Sequence, residues 1–318
     1  MTGPERGFLL LCSHLGNPGR RPLTVAQFRK LSRRVRDAEK APGDRELEIS
    51  DLTALGYGRQ EAAHIIDLFS EEALLDRYLA KAAKYGCVPL TPLTVGYPRR
   101  LWEALGDDAP ACIWARGDLT ILDRPGIALV GSRDLLPENR EFARQAGCEA
   151  ARQGLALISG NARGADRTAQ EAALVSGGAV IGIVADRLTD HVPVPNMLYL
   201  SEEGFDLEFS AQRAISRNRC IHALGLCAIA AQCSLRTGGT WDGSVKNLRY
   251  GWSPLYVFDD GSESSELLEQ MGAVKLGLEA LKDLRNLPCP EQLKLKKIPD
   301  KSPGFLISRI PQFARRSC

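Results

Sequence analysis

The sequence predicts an α/β protein with a mainly parallel sheet that helices cover on both faces, preceded by a small all-α module. Two observations predict this fold class. From about residue 81 onward, short apolar runs without polar alternation are each followed by a helical pattern, as in strands buried on both faces of a sheet. Before that point, apolar residues recur at intervals of three and four, as on amphipathic helices.

Three segments follow from these patterns. Residues 1–80 form the helical module, residues 81–285 form the α/β domain, and residues 286–318 form a basic tail that contains prolines and shows little periodicity. A polar link that contains Pro42 and Gly43 separates the first two helices of the module. The helical spacing in the module covers residues 23–35, 51–69 and 71–86.

Strand and helix patterns alternate through the α/β domain. The strands are predicted at residues 87–89, 111–115, 126–130, 155–158, 179–184, 226–231 and 254–258. The helices are predicted at residues 138–153, in the Ala-rich segment before Gly177, and at residues 214–224 and 243–250. Because ligands of such folds bind at the carboxyl ends of the strands, we expect the binding residues in the loops that follow the strands.

Composition indicates an ordinary globular protein. Of the 318 residues, 44% are hydrophobic and 25% are charged. Its apolar runs are shorter than the roughly 20 residues that a membrane span needs, and the N-terminus lacks the pattern of a signal peptide. The nine cysteines form no C-x-x-C pair and the four histidines are scattered. We therefore expect a cytoplasmic protein with reduced, buried thiols, no bound metal and no membrane association.

Charge is unevenly distributed, although the formal net charge is only +2. Residues 20–36 and the tail from Lys294 onward are both basic. Such runs are typical of a solvated face or of contact with phosphates, and the sequence leaves both interpretations open.

Glycines, hydroxyl groups and arginines follow three of the predicted strands. Glycine lets backbone N–H groups approach an anion closely, helix N-termini add partial positive charge, and arginine offers a planar fork for phosphate. If the three loops lie at one edge of the sheet, they form a phosphate-binding crevice. The residues are Gly131, Ser132 and Arg133; Ser159, Gly160, Asn161, Arg163, Gly164 and Asp166; and Thr237, Gly238, Gly239 and Thr240.

Asp166 is the one acid in these loops, and we interpret it as a helix cap or as the partner of an arginine rather than as a catalytic group. A further basic segment surrounds Asn218. Arg213 and Arg217 are four residues apart on one helical face, whereas Arg219 lies about 160° round the helix from Arg217. A basic face beside the crevice suits a polyanion that crosses the protein rather than one small phosphate.

Several fingerprints of nucleotide-binding proteins and hydrolases are absent. The sequence has no G-x-G-x-x-G after the strand at residues 126–130, and it has no G-x-x-x-x-G-K-[ST], G-x-S-x-G or H-E-x-x-H. These absences exclude the usual dinucleotide site, the P-loop, the serine-hydrolase elbow and the zinc-protease helix. We therefore expect a protein that uses no cofactor and is not an enzyme.

These motifs and their order resemble the DprA/Smf family of bacterial DNA-processing proteins. The resemblance covers roughly residues 5–280. It implies an extended Rossmann-like, doubly wound fold with an N-terminal SAM-like helical region. The matching series is Tyr97-Pro98, Arg116-Gly117-Asp118, Val130-Gly131-Ser132-Arg133, Ser159-Gly160-x-Ala162-Arg163-Gly164-x-Asp166, Gly177-Gly178 and Arg217-Asn218-Arg219.

The same resemblance implies a function. Proteins of this family bind single-stranded DNA in a basic pocket without cleaving it, form homodimers, and deliver the strand to a RecA-type recombinase in natural transformation or recombination. The sequence departs from the family in three places. Gln170 stands where the family often has His, a G-G-T-W-x-G motif from Gly238 replaces the family's Ser-Gly-Ser/Thr-Leu-x-Thr-Ala, and no winged-helix module is evident after residue 285.

Two alternative functions stay open. Gly238, Gly239 and Thr240 resemble part of the P-G-G-x-G-T-x-x-E motif of LOG-type phosphoribohydrolases, which cleave nucleoside monophosphates. However, Asp242 is the nearest acid, and no glutamate stands at the required spacing. A sensor of a nucleotide-derived small molecule is the other alternative. Because only 6% of the residues are aromatic, base stacking is expected to contribute little, and its candidates are Tyr97, Trp241 and Tyr250.

Overall fold

The computed structural model describes residues 1–37 and 47–288. Within this part of the chain, the helical segment comes first and a nine-stranded mixed sheet follows. The predicted link with Pro42 and Gly43, and the predicted tail from residue 289 onward, lie outside the described residues. The domain boundaries at residues 80 and 285 stay predictions.

The helical segment holds one helix more than the sequence patterns predict. The extra helix, α1, starts with a capping box in which Glu5 N donates to the Thr2 hydroxyl and Thr2 N donates to the Glu5 carboxylate. Its apolar residues pack against the neighbouring helices through contacts such as Phe8 on Phe28, with ring centroids 4.6 Å apart. The helices are α1 Gly3–Cys12, α2 Val25–Asp37, α3 Ile49–Ala54, α4 Arg59–Ser70 and α5 Glu72–Lys84.

The sheet has the doubly wound order that the resemblance implies. Its strands lie in the order β1-β2-β6-β5-β4-β3-β7-β8-β9, and the seven from β6 to β9 run parallel, while β2 is antiparallel to both β1 and β6. Chain order reverses between β3 and β7, which is where such folds bind ligands. The strands are β1 Cys87–Leu90, β2 Ile113–Gly117, β3 Gly126–Val130, β4 Ala156–Ser159, β5 Val180–Val184, β6 Met197–Glu202, β7 Ala228–Ala230, β8 Leu255–Phe258 and β9 Val274–Leu276.

Helices cover both faces of the sheet, as predicted. Alternate residues of β3 enter opposite cores: Ile127 packs with α7 and α8, and Ala128 packs with α6, α9 and α10. Gly147 lets α7 and α8 approach closely, because a Cβ there would lie 2.2 Å from the Ala169 carbonyl oxygen. The helices of this domain are α6 Arg99–Leu105, α7 Pro137–Arg152, α8 Ala165–Val175, α9 Ala211–Leu224, α10 Gly238–Tyr250 and α11 Glu263–Gln270.

Several elements differ from the sequence prediction. Strands β6 and β9 and helices α6 and α11 were not predicted, because each is short and gains its regularity from a neighbouring element. Helix α9 starts three residues before the predicted position, since the Ser210 hydroxyl accepts a hydrogen bond from Arg213 N at 3.1 Å. Helix α10 starts at Gly238 rather than at residue 243, although its first residues include two glycines.

No helix among residues 1–37 and 47–288 has the length and apolar character to cross a membrane. Cysteines are free where the structure describes them, and Cys112, Cys220 and Cys227 are buried, as predicted. Burial raises the pKa of the Cys227 thiol to about 12, which keeps it protonated.

His222 makes the stability of the protein depend on pH. It is 1% exposed, and neither ring nitrogen has a hydrogen-bond partner among the described residues. Burial lowers the pKa of its imidazole from 6.5 to about 4. Because the unfolded chain then binds the proton more readily, this contribution is complete above pH 6.5 and is lost as the pH falls through 4. We expect the free energy of unfolding to fall by about 3 kcal/mol across this range.

Urea unfolding at pH values between 7.5 and 4 measures this loss. In His222→Gln the part of the pH dependence that belongs to the buried ring should disappear, whereas His64→Gln, which changes a histidine outside the core, should keep it. An unchanged pH dependence in His222→Gln would contradict the assignment.

Candidate anion-binding crevice

The loops that follow β3, β4 and β7 meet in one crevice, as the sequence predicts. The crevice has a large compartment of about 500 Å³ and a small compartment of about 240 Å³. Four residues line both compartments: Arg133, Ala162, Phe209 and Arg217. The loop after β3 and the start of α10 line the large compartment, and the loops after β4 and β5 line the small one.

The loop after β3 is held by backbone hydrogen bonds on both sides. Ser132 N donates to the Gln232 carbonyl at 3.0 Å, and Ala165 N donates to the Ser132 carbonyl at 3.1 Å. Gly131 is required here, because a Cβ would lie 2.5 Å from the Cβ of Ala165. The side chain of Arg133 is exposed, and in the described part of the chain it has no hydrogen-bond or ion-pair partner. This arginine is therefore available to a ligand.

Asp166 organises the loop after β4. Its carboxylate accepts hydrogen bonds from Gly160 N at 2.9 Å and from Ala162 N at 3.2 Å. Burial raises the pKa of this carboxyl, and the positive charge of Arg217 opposes that rise. The carboxylate thus supports the turn and lies near an arginine, which are the roles that the sequence suggests.

The other residues of this loop differ in how far they reach the crevice. Asn161 lines the small compartment in a left-handed conformation with φ of 56°, and its Nδ2 lies 3.4 Å from Nδ1 of His191. Arg163 also lines this compartment and pairs with Asp134 at 2.8 Å, in an exposed ion pair that a ligand can displace. Ser159 is buried, and its hydroxyl accepts a hydrogen bond from Gln170 at 2.7 Å, so it does not face the crevice.

Arg217 is the central residue of the crevice. It is 7% exposed, and a Cβ on Gly160 would lie 1.6 Å from its Nη1, so the guanidinium packs directly on that glycine. Its buried Nε has no hydrogen-bond partner, and no other donor of this side chain bonds to a described residue. Burial lowers the pKa of Arg217, and the charges of Asp166 and Asp186 oppose that shift. Arginine nevertheless stays charged in proteins, so the crevice contains a buried cation with unused donors.

The N-terminus of α10 forms the far wall of the large compartment. Thr237, Gly238, Gly239 and Thr240 all line it, and the first N–H groups of a helix have no partner within the helix. Gly238 has φ of 81°, which favours glycine. Asn218 fixes this wall to α9, because its Nδ2 donates to the Gly239 carbonyl at 3.1 Å.

Arg213 and Arg219 correct the sequence interpretation, because the structure does not bring them to the crevice. The guanidinium of Arg213 donates to the carbonyls of Ala185, Leu207 and Glu208 at 2.8 to 2.9 Å. Arg219 pairs with Glu202 and donates to the Asp108 and Ser216 carbonyls at 3.1 and 2.7 Å. Protein groups satisfy these donors, so both arginines serve the fold.

Sequence reasoning missed three residues that line the crevice: Phe209, Ile215 and Asp186. Phe209 is 57% exposed and Ile215 is 49% exposed. The available signal was an apolar residue directly before the helix cap Ser210, where no core position is required. Of the aromatic residues that were predicted to stack, Tyr97 is buried and donates to the Pro110 carbonyl at 2.7 Å, and neither Trp241 nor Tyr250 lines the crevice.

The fold and the crevice together define a Rossmann-like α/β protein with an anion-binding site at the switch point of its sheet. The family model for DNA recombination-mediator protein A matches residues 89–246, which include all three crevice loops. This chain belongs to the DprA/Smf family of DNA-processing proteins.

Relatives and solved structures agree with this assignment. The chain is 28% identical over 244 residues to DNA processing protein DprA of Streptococcus pneumoniae, covering 72% of this chain and 84% of the relative. It is 27% identical over 176 residues to DprA of Bacillus subtilis, covering 52% and 58%. The crystal structure of the S. pneumoniae protein matches with a TM-score of 0.62 at 24% identity, over 87% of this chain and 95% of that one.

A structure of DNA processing protein A from Helicobacter pylori, described for its single-stranded DNA binding mode, matches with a TM-score of 0.51 at 24% identity. The match covers 62% of this chain and 93% of the H. pylori chain. At this identity both structural matches support the fold.

Proposed function

We propose that the crevice binds the sugar-phosphate backbone of single-stranded DNA and does not cleave it. The observation that carries this proposal is Arg217, a buried guanidinium that lines both compartments and has unused donors. A buried charge without hydrogen-bond partners is costly, so a protein that keeps one at an open crevice gains most when an anion binds there.

The surroundings of Arg217 support a phosphate ligand. Arg133 is exposed at the same place, and the N-termini of α8 and α10 both meet the crevice. Asp166 and Asp186 are the carboxylates among the lining residues, and the Asp166 carboxylate already accepts two backbone N–H groups. The local field is therefore positive although the net charge of the chain is only +2.

The shape of the crevice supports a polymer. Two compartments lie on either side of Arg217 and Arg133, which suits successive units of a strand that passes over both arginines. The H. pylori relative is described as binding single-stranded DNA, and we extend that ligand to this chain. On the same family grounds, we propose a cytoplasmic homodimer that hands the strand to a RecA-type recombinase, in natural transformation or another recombination pathway.

A phosphoribohydrolase receives less support. Asp242, the acid nearest the Gly-Gly-Thr sequence, pairs with Lys246 at 2.8 Å and does not line either compartment. Asp166 is engaged by the loop that it supports. A positioned acid–base pair is therefore not present among the carboxylates of the crevice, and a non-catalytic binder fits the geometry better.

A salt-titrated binding assay tests the proposal. We expect a fluorescent oligo-dT to bind more tightly than a duplex of equal length, and both to bind more tightly than dTMP. The logarithm of the oligo-dT affinity should fall linearly with the logarithm of salt concentration, by about 0.7 for each phosphate contacted. Equal affinity for dTMP and oligo-dT would favour the small-molecule sensor, and release of free base from dTMP would favour the hydrolase.

A further inference from the structure

The backbone on both sides of Phe209 is fixed in place, although its ring is exposed. Arg213 donates to the carbonyls of Leu207 and Glu208 at 2.9 and 2.8 Å, and Ser210 caps α9. The same guanidinium also bonds to the Ala185 carbonyl at the end of β5. Arg213 is therefore a positioning residue, which holds an exposed ring over the crevice instead of contacting a ligand itself.

Phe209 belongs to an apolar wall of the large compartment. Ala214 and Ile215 continue this wall along α9, and Ile215 is itself about half exposed. The opposite wall is polar and contains Ser132, Arg217 and the first turn of α10. The compartment therefore offers an apolar surface for a flat ring beside donors for an anion, a combination typical of pockets that bind a ligand with both parts.

The two compartments differ in what they can hold. The large one, of about 500 Å³, lies within the range of small-molecule sites, which is roughly 300–1,000 Å³. The small one, of about 240 Å³, falls below that range, and its lining is mainly the polar loops after β4 and β5. Arg133 and Arg217 lie between the two.

We propose that the large compartment is a nucleobase subsite. An unpaired base lies against Phe209 and Ile215, its phosphate bonds to Arg217 and Arg133, and the small compartment receives the adjoining phosphate alone. The inference rests on the proposed function and adds the reason for strand selectivity. A base in a duplex is paired and stacked, so it cannot turn onto Phe209.

The test compares two ligands that carry the same phosphates. The first is a labelled oligo-dT, and the second is an abasic phosphodiester oligomer of equal length, both measured at one salt concentration by fluorescence anisotropy. The wild-type protein should prefer oligo-dT. Phe209→Ala should lower the oligo-dT affinity at least about fivefold, as the loss of one base–aromatic stack implies, and leave the affinity for the abasic oligomer unchanged.

Two further variants control for structure. Phe209→Trp should restore the preference for bases, and Tyr85→Ala, which removes an exposed aromatic ring beyond α5, should bind like the wild type. If Phe209→Ala lowered the affinity for both oligomers equally, or for neither, the base subsite would be overturned while strand binding stood. If the wild-type protein bound neither oligomer, the proposed function itself would fail.

Discussion

Arg217→Gln is expected to lower the affinity for single-stranded DNA by one to two orders of magnitude, about 1–3 kcal/mol. The guanidinium is the buried cation of the crevice, so its removal eliminates charge-assisted hydrogen bonds that water does not replace. The slope of affinity against salt should also become shallower, by about one for each phosphate that the variant no longer neutralises. Anisotropy titrations of an oligo-dT at several salt concentrations measure both quantities.

Arg77→Gln is the matched control for this variant. Arg77 lies on α5, is exposed, and has no hydrogen-bond or ion-pair partner within the described residues, so the substitution removes the same charge from another surface. The control should bind like the wild type. If both variants weakened binding equally, overall charge rather than the crevice would explain the affinity.

Gly160→Ala tests the same guanidinium without changing the charge. Its Cβ would lie 1.6 Å from Nη1 of Arg217, and the end of a flexible side chain can move aside. We expect a folded protein with a displaced guanidinium and a decrease in affinity close to that of Arg217→Gln. Gly58→Ala, where nothing lies within 4 Å of the new Cβ, should leave binding unchanged. Unaltered binding by Gly160→Ala would show that the position of Arg217 is unimportant.

Gly164→Ala is expected to have the largest effect on stability, lowering the free energy of unfolding by more than about 3 kcal/mol. Gly164 has φ of 88° directly before α8, a conformation that L side chains rarely adopt. A Cβ would also lie 2.3 Å from the Ser132 carbonyl oxygen and 2.5 Å from that of Arg133. Both contacts are with backbone atoms, which cannot move without disturbing the loop after β3.

Gly177→Ala separates these two causes. Gly177 also has a positive φ, of 74°, but nothing lies within 4 Å of the Cβ that alanine would add, so the substitution costs only the backbone strain, about 1–2 kcal/mol. Urea unfolding of both variants should show Gly164→Ala to be much less stable than Gly177→Ala. Equal stability would contradict the close approach of the loops after β3 and β4.

The basic segment on α9 shows why a motif predicts a site better than it predicts the role of each residue. Arg213, Arg217 and Arg219 are close in sequence, yet only Arg217 lines the crevice. The donors of the other two bond to groups that lie far away along the chain, such as Ala185 and Asp108. A sequence pattern does not reveal which carbonyls the fold places beside a guanidinium.

The sequence by itself determined the sheet and the place of the site. Uninterrupted apolar runs such as residues 126–130 can be buried only between two layers of helices, and parallel strands carry the following loops to one edge. Only the tertiary structure decided that Ser159 and Arg213 turn away from the crevice while Phe209 stays exposed beside Arg217. The physical reason is that strand burial follows from local hydrophobicity, whereas the partner and exposure of a side chain depend on residues that only folding brings together.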